Sequence, residues 1–288
     1  MAMSKPIRLQ LLLLLVFIIV ALSINPNGIY VHQIPERKEL VAGGLHNVER
    51  KERLGFDAIY LIHIPAAPQR LELTDRLLKP HNLDIIYWEA ETPETFLTKA
   101  LHNWDSGPQM GAMACASSHI SVYLDMMRRN LTNALILEDD IDLEMDLLNI
   151  WKEKSQFLPQ MNWDFLYLGH CFDKPSYPRF LKIIMPSYPG WTRGVAVCTH
   201  AYAVTTSYIR KFLADMESPN EPIDVLLEQY MKNGGSNSFI LDKPLFVQRP
   251  RSQENPSTIG ANDSLPDQPL IQSAWATLNQ TMNGDNSR

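Results

Sequence analysis

An apolar run, Ala134-Leu135-Ile136-Leu137, stops abruptly in Glu138-Asp139-Asp140-Ile141-Asp142, and that junction limits what the chain can fold into. A continuous Leu/Ile stretch suits a strand covered on both faces, and open α/β sheets bind ligands just beyond the carboxyl ends of such strands. Three adjacent ionised acids repel one another and raise each other's pKa unless a cation or hydrogen-bond donors compensate. A divalent metal is the natural compensator. Hard oxygen ligands suit magnesium or manganese, and either ion bridges carboxylates to a diphosphate. The same residues also suit a solvated turn whose acids cap the next helix.

Elements alternate regularly around this junction. Strands are predicted at 58–64, 85–88, 165–168 and 195–204, with a last strand at 245–248. Helices are predicted at 69–79, within 110–129, and at 147–158, 207–216 and 223–232, those within 110–129 and at 223–232 carrying apolar residues at helical spacing. Strands alternating with helices imply an α/β fold with a mostly parallel central sheet flanked by helices, in a single domain. The Pro-rich stretch from Pro175 to Pro189 reads as an irregular insert. From Gly260 to Arg288 the chain turns polar and reads as a flexible tail. The expected division is therefore a leader over 1–24, a stem over 25–54, the domain over 55–260 and the tail over 261–288.

The leader is defined by Lys5 and Arg8 ahead of an apolar run from Leu11 to Leu22. It suits either a cleavable signal peptide or an uncleaved signal-anchor, with the bulk of the chain lumenal in both cases. The expected location is a Golgi or endoplasmic reticulum membrane reached through this segment, or secretion where the leader is cleaved. Acceptor sequons at Asn130, Asn262 and Asn279 agree with that compartment. Of three cysteines, Cys115 falls on an apolar helix face as a buried free thiol, so Cys171 and Cys198 are the expected pair, with unpaired buried thiols as the alternative. A net charge of −6 with scattered basic residues supplies no footprint for nucleic acid.

Three further constellations stand out. The strand end Ile62-His63-Ile64, closed by Pro65 and followed by Arg70, is placed where a nucleotide base and a phosphate would sit, although Arg70 equally suits a solvated helix. A small-residue run from Gly111 to Ser118 leads into His119, which suits either a diphosphate contact or a satisfied structural histidine. Asp224 opens the last internal helix, where it suits a catalytic base or simply complements the helix dipole.

Taken in order, Ile59 to Ile64 with Arg70, Gly111 to Ile120, Leu135 to Asp140, Trp163 to Gly169, Thr199 to Val204 and Pro222 to Asp224 resemble glycosyltransferase family 25. The family includes lipooligosaccharide and collagen galactosyltransferases. The resemblance covers roughly Phe56 to Gly260 and implies a GT-A type fold, a UDP-sugar donor and transfer of a hexose, galactose above all, to a hydroxyl with inversion. It implies that Glu138, Asp139 and Asp140 replace the DxD motif, with Asp139 and Asp140 on manganese or magnesium and Asp142 a weaker addition. Ile64, Arg70, His119, Glu138 and Asp139 are then donor contacts and Asp224 the base, and the acceptor is a protein or a glycan. The loop from His63 to Arg70 and Ala112 depart from the family pattern. The competing expectations are a sugar-nucleotide or glycan-binding module without turnover, and a different metal-assisted nucleotidyl or phosphoryl transferase.

Overall fold

The computed structural model describes residues 51–95, 98, 110–171, 173–175, 188–216, 221–249 and 269–285. The chain divides between Arg50 and Lys51 into two units. The leader and most of the stem lie outside the described residues, as does nearly all of the Pro-rich insert. Among the described residues no helix is long and apolar enough to cross a membrane.

The strands are β1 (Ala58–His63), β2 (Ile85–Glu89), β3 (Asn133–Glu138), β4 (Ile141–Leu143), β5 (Phe165–Gly169), β6 (Asp173–Pro175), β7 (Trp191–Ala196), β8 (Ala201–Thr205), β9 (Ser238–Leu241) and β10 (Phe246–Gln248). The helices are α1 (Pro68–Leu78), α2 (Met110–Arg128), α3 (Leu147–Ser155), α4 (Thr206–Asp215), α5 (Ile223–Tyr230) and α6 (Ala274–Asp285). Eight strands form one sheet in the order β2-β1-β3-β8-β5-β9-β7-β6, and β4 pairs β10 separately.

The sheet is mixed rather than mostly parallel. β1 runs parallel to β2 and β3, and β5 parallel to β9, but β8 is antiparallel to both β3 and β5, and β7 to both β9 and β6. Between β5 and β8 no described residue is helical, whereas parallel neighbours are usually joined by a helical crossover. The stretch predicted as one strand at 195–204 is correspondingly split into β7 and β8 by the loop 197–200. In that loop Cys198 holds a left-handed φ of 72°.

Side chains alternate across the sheet with the period of two that strands impose. Ile59, Leu61, Leu135, Leu137, Leu166 and Leu168 point into a core closed by Phe56, Trp151 and Trp191. Tyr60, Ile136 and Tyr202 are equally buried, and Tyr60 Oη donates to Asp125 of α2 at 2.7 Å. Each fully buried Leu or Ile contributes about 1.5–3 kcal/mol relative to exposure. Helix α2 is buried along most of its length, including Ala112, Ala114, Ala116, Ser117 and Ser118. The two serine hydroxyls are satisfied by back-bonding to Met113 O at 3.0 Å and Ala114 O at 2.8 Å, so small polar side chains let this helix approach closely without orphaned donors.

The segment read as a flexible polar tail contains α6 instead. Asp142 Oδ2 accepts from Ser273 Oγ at 2.6 Å and Asp142 Oδ1 from Trp275 N at 3.0 Å. Glu144 accepts from Ile271 N and Gln272 N, and Ala274 is buried. Charge on β4 and its flank satisfies the first turn of a helix about 130 residues away, a tertiary effect that local polarity conceals.

Candidate active site

Register brings the candidate residues to one sheet edge. In the parallel β1/β3 ladder Ile62 pairs with Glu138, so the chain leaves both strands at the same level and Ile64 N meets Asp139 Oδ2 at 2.9 Å. In the antiparallel β3/β8 ladder Leu137 pairs with Ala201, and Glu138 N donates to His200 O at 3.0 Å. The residues preceding β8 therefore arrive at the edge where β3 ends. The β4/β10 ladder pairs Ile141 with Gln248 and sets Gln248 and Arg249 beside Asp140.

Asp139 is saturated. Its Oδ1 accepts from Arg70 Nη2 at 2.5 Å and its Oδ2 from Ile64 N, while its carbonyl accepts from Thr74 Oγ1 at 2.7 Å and Arg249 Nη2 at 2.9 Å. Arg249 also donates to Ile141 O and Thr74 Oγ1, stitching the backbone of the acidic turn to α1. Burial, with the Asp140 and Glu138 charges, pushes the Asp139 carboxyl up to about 6, against the pull of Arg70 and the Ile64 N–H. The compensators of the acidic run are thus two buried arginines, Arg70 and Arg249, 4% and 3% exposed. Each Asp139 side-chain oxygen thus already accepts one protein hydrogen bond, whereas Asp139 was expected as a metal ligand together with Asp140.

Asp140 is different. Its Oδ2 accepts from Gln248 Nε2 at 2.9 Å and lies 3.0 Å from Arg70 Nη2. Its Oδ1 is buried without a hydrogen-bond partner among the described residues. A buried carboxylate oxygen with an open lone pair fits a hard cation.

Glu138 is the last residue of β3. Its Oε1 accepts from Thr199 Oγ1 at 2.9 Å and lies 3.3 Å from His119 Nε2. Burial acts to raise its pKa, yet His119, His200 and the Thr199 bond outweigh burial and hold the carboxyl below its ordinary value. His119 is fully buried, and its Nδ1 lies 2.8 Å from Tyr202 Oη, which lies 2.6 Å from Tyr123 Oη. His200 is also buried. Desolvation lowers its pKa despite Glu138 and Asp140, so its ring is neutral at pH 7. The ring packs over Gly169, where an added Cβ would lie 2.5 Å from His200 Nε2 and 2.6 Å from Phe246 O.

Asp224, in the first turn of α5, is half-buried. Its Oδ2 accepts from Cys198 N at 3.3 Å and its Oδ1 from Val225 N at 2.9 Å. Cys198 is bonded to Cys171, as the sequence led us to expect, and Cys115 is the free cysteine. A non-glycine residue at positive φ costs about 1–3 kcal/mol and persists where its surroundings over-determine it. Here the disulfide and the Asp224 bond hold Cys198 while the adjacent Thr199 reaches Glu138. One dipeptide therefore links the candidate base to the candidate donor site. The Cys115 thiol senses the charges of Glu138, Asp224 and Asp140 together, and with burial they push its pKa up.

The structure thus gathers Ile64, Arg70, His119, Glu138, Asp139, Asp140 and Asp224 along one edge. Sequence reasoning missed Gln248 and Arg249 as partners of the acidic turn. Their signal was present in the same form as that of Glu138, an apolar strand stopping in polar residues.

The ends of neighbouring strands of one α/β sheet thus gather carboxylates and imidazoles at a single edge. A family model described as glycosyltransferase family 25 (LPS biosynthesis protein) matches residues 56–227, more than half of the chain, and the chain belongs to that family. Procollagen galactosyltransferase 2 of Mus musculus is 23% identical over 168 residues, covering 51% of this chain and 27% of that protein. Procollagen galactosyltransferase 1 of Danio rerio is 25% identical over 173 residues, covering 52% and 28%. A human protein named inactive glycosyltransferase 25 family member 3 is 23% identical over 185 residues, covering 58% and 30%. The chain spans less than a third of the length of these curated relatives. A solved glycosyltransferase involved in glycosylation of the PBCV-1 major capsid overlaps 68% of this chain and 95% of its own at 13% identity, with a TM-score of 0.37, too loose to bear on the argument.

Proposed function

We propose that the protein transfers a hexose from a UDP-sugar to a hydroxyl acceptor with inversion, in the lumen of the secretory pathway. The observation that carries this reading is the buried, unpartnered Oδ1 of Asp140 at the carboxyl edge of the sheet, beside an ionised Glu138. Asp140 and Glu138 are the residues that would hold a manganese or magnesium ion, which supplies Lewis-acid stabilisation to a departing diphosphate. Arg70 presents a guanidinium beside the same acids, and Asp139 fixes it there. Asp224 takes the acceptor hydroxyl's proton as its oxygen bonds the anomeric carbon and the bond from that carbon to the diphosphate breaks. Galactose is the donor sugar that the names of the relatives support. The Cys171–Cys198 bridge, the sequons and the leader support an oxidising, lumenal compartment with membrane attachment through the leader.

The test is release of UDP from a panel of UDP-sugars by the purified full chain with manganese, with and without hydroxyl acceptors. UDP-galactose is expected to give the fastest release, and Asp224→Asn to remove the acceptor-stimulated part. The second reading, a sugar-nucleotide-binding module without turnover, is favoured by the full commitment of Asp139 to Arg70 and Ile64 and by the relative named inactive. It predicts UDP binding with no release from any UDP-sugar.

A further inference from the structure

Cys115 has no place in the transfer chemistry, yet its surroundings are unusual for a structural thiol. It sits one helical turn before His119 on α2, so the two side chains share a face. Across from them is Glu138, and Cys115 Sγ, His119 Nε2 and a Glu138 carboxylate oxygen all lie within 4.8 Å of one another. We propose that Cys115, His119 and Glu138 form a second metal site, selective for zinc-like cations and distinct from the Asp140 position.

The ligand types carry the selectivity. A thiolate and an imidazole are softer than the oxygen set that suits manganese or magnesium, and together with one carboxylate they suit zinc. Small movements of side chains bring three atoms at this spacing onto one ion. His119 is oriented for the purpose, because its Nδ1 meets Tyr202 Oη, itself backed by Tyr123 Oη, which leaves Nε2 directed at Glu138. A metal-bound imidazole characteristically uses its other nitrogen in this way. Thr199 holds Glu138 Oε1 and so fixes the carboxylate from behind. Asp224 and Asp140 add negative charge around the thiol, which favours a cation. On binding, the Cys115 Sγ–H bond breaks, the sulfur lone pair goes to the metal and the proton to solvent. Three protein ligands leave a fourth tetrahedral position open.

Glu138 belongs to both sites, so zinc would draw it away from the manganese position and antagonise donor binding. That consequence rests on the proposed transferase reading, whereas the metal site does not. The Cys171–Cys198–His200 group offers a rival set of atoms, but its sulfurs are joined to each other. Without reductant Cys115 is therefore the one thiol of the three cysteines.

The experiment loads the full chain with cobalt as a spectroscopic substitute for zinc, without reductant, and separately records zinc X-ray absorption on the unaltered protein. Expected are a thiolate-to-cobalt charge-transfer band and a zinc shell of one sulfur at about 2.3 Å with nitrogen and oxygen at about 2.0–2.1 Å. Cys115→Ser should abolish the band and weaken zinc binding at least about tenfold, and Asp140→Ala should leave the band in place. A sulfur-free zinc shell, or a band that survives Cys115→Ser, overturns the proposal. Because the X-ray measurement needs no variant, a misfolded Cys115→Ser protein does not shield the proposal. Loss of UDP binding alone would count against the donor reading and not against this site.

Discussion

Arg70 Nη2 lies 2.5 Å from Asp139 Oδ1, with both side chains almost fully buried, and the same nitrogen is 3.0 Å from Asp140 Oδ2. One guanidinium thus serves two acids unequally, and the acids divide their work. Breaking a buried pair by removing one partner leaves an uncompensated charge and costs about 3–5 kcal/mol. Asp139→Ala is therefore expected to destabilise strongly, and Asp140→Ala by less, since Arg70 retains its shorter contact. Urea unfolding of the two variants measures this, and a larger loss in Asp140→Ala would reverse the assignment.

The raised pKa of Asp139 has a stability sign. In the metal-free protein the folded-state value of about 6 exceeds the ordinary 3.8. The associated stabilisation is fully present below the ordinary value and is lost as pH rises through about 6. Asp139→Asn cannot titrate. The stability of the native chain relative to this variant should fall by on the order of 3 kcal/mol as the pH is raised from 4 to 7. Unfolding midpoints at several pH values in chelator measure it, and a pH-independent difference would contradict the burial argument.

Gly169 is required by close approach rather than by its backbone angle. A Cβ there would meet the His200 ring and the Phe246 carbonyl, and a backbone carbonyl does not give way cheaply. Gly169→Ala should cost about 1–3 kcal/mol. It should also displace His200, whose backbone carbonyl accepts from Glu138 N, so the Glu138 carboxyl resonance should shift. Carbon-detected NMR of the glutamates reads that shift.

Asp142 shares the acidic run but serves α6 through Ser273 and Trp275. Asp142→Ala should cost about 0.5–2 kcal/mol, as lost helix-start bonds do. Hydrogen exchange in residues 274–280 should accelerate while UDP affinity stays unchanged. Weakened UDP binding would return Asp142 to the site.

The helices and the inner strands were legible because each has a full local pattern: apolar spacing in α2 and α5, continuous Leu and Ile in β1 and β3. Strand direction was not. No local signal told β8 to run antiparallel to β3, and the alternation of Ala201 to Thr205 with its neighbours follows from which strands it meets. The break at Val197 to His200 was hidden because Cys198 reaches positive φ through tertiary bonds rather than through a glycine. In the site, residue types revealed the gathering of acids but not its internal division. Asp139 and Asp140 are neighbours of one chemistry, and only Arg70, Ile64 and Gln248, brought in from three other elements, distinguish them.

The central claim is that Asp140 supplies the cation-binding oxygen at the donor site. Calorimetric titration of UDP into the full chain, with manganese and with chelator, tests it most directly when repeated on Asp140→Ala. The account predicts that manganese tightens UDP binding to the native chain and that Asp140→Ala, still folded, loses this increment. Equal manganese enhancement in both proteins, or none in either, would contradict it.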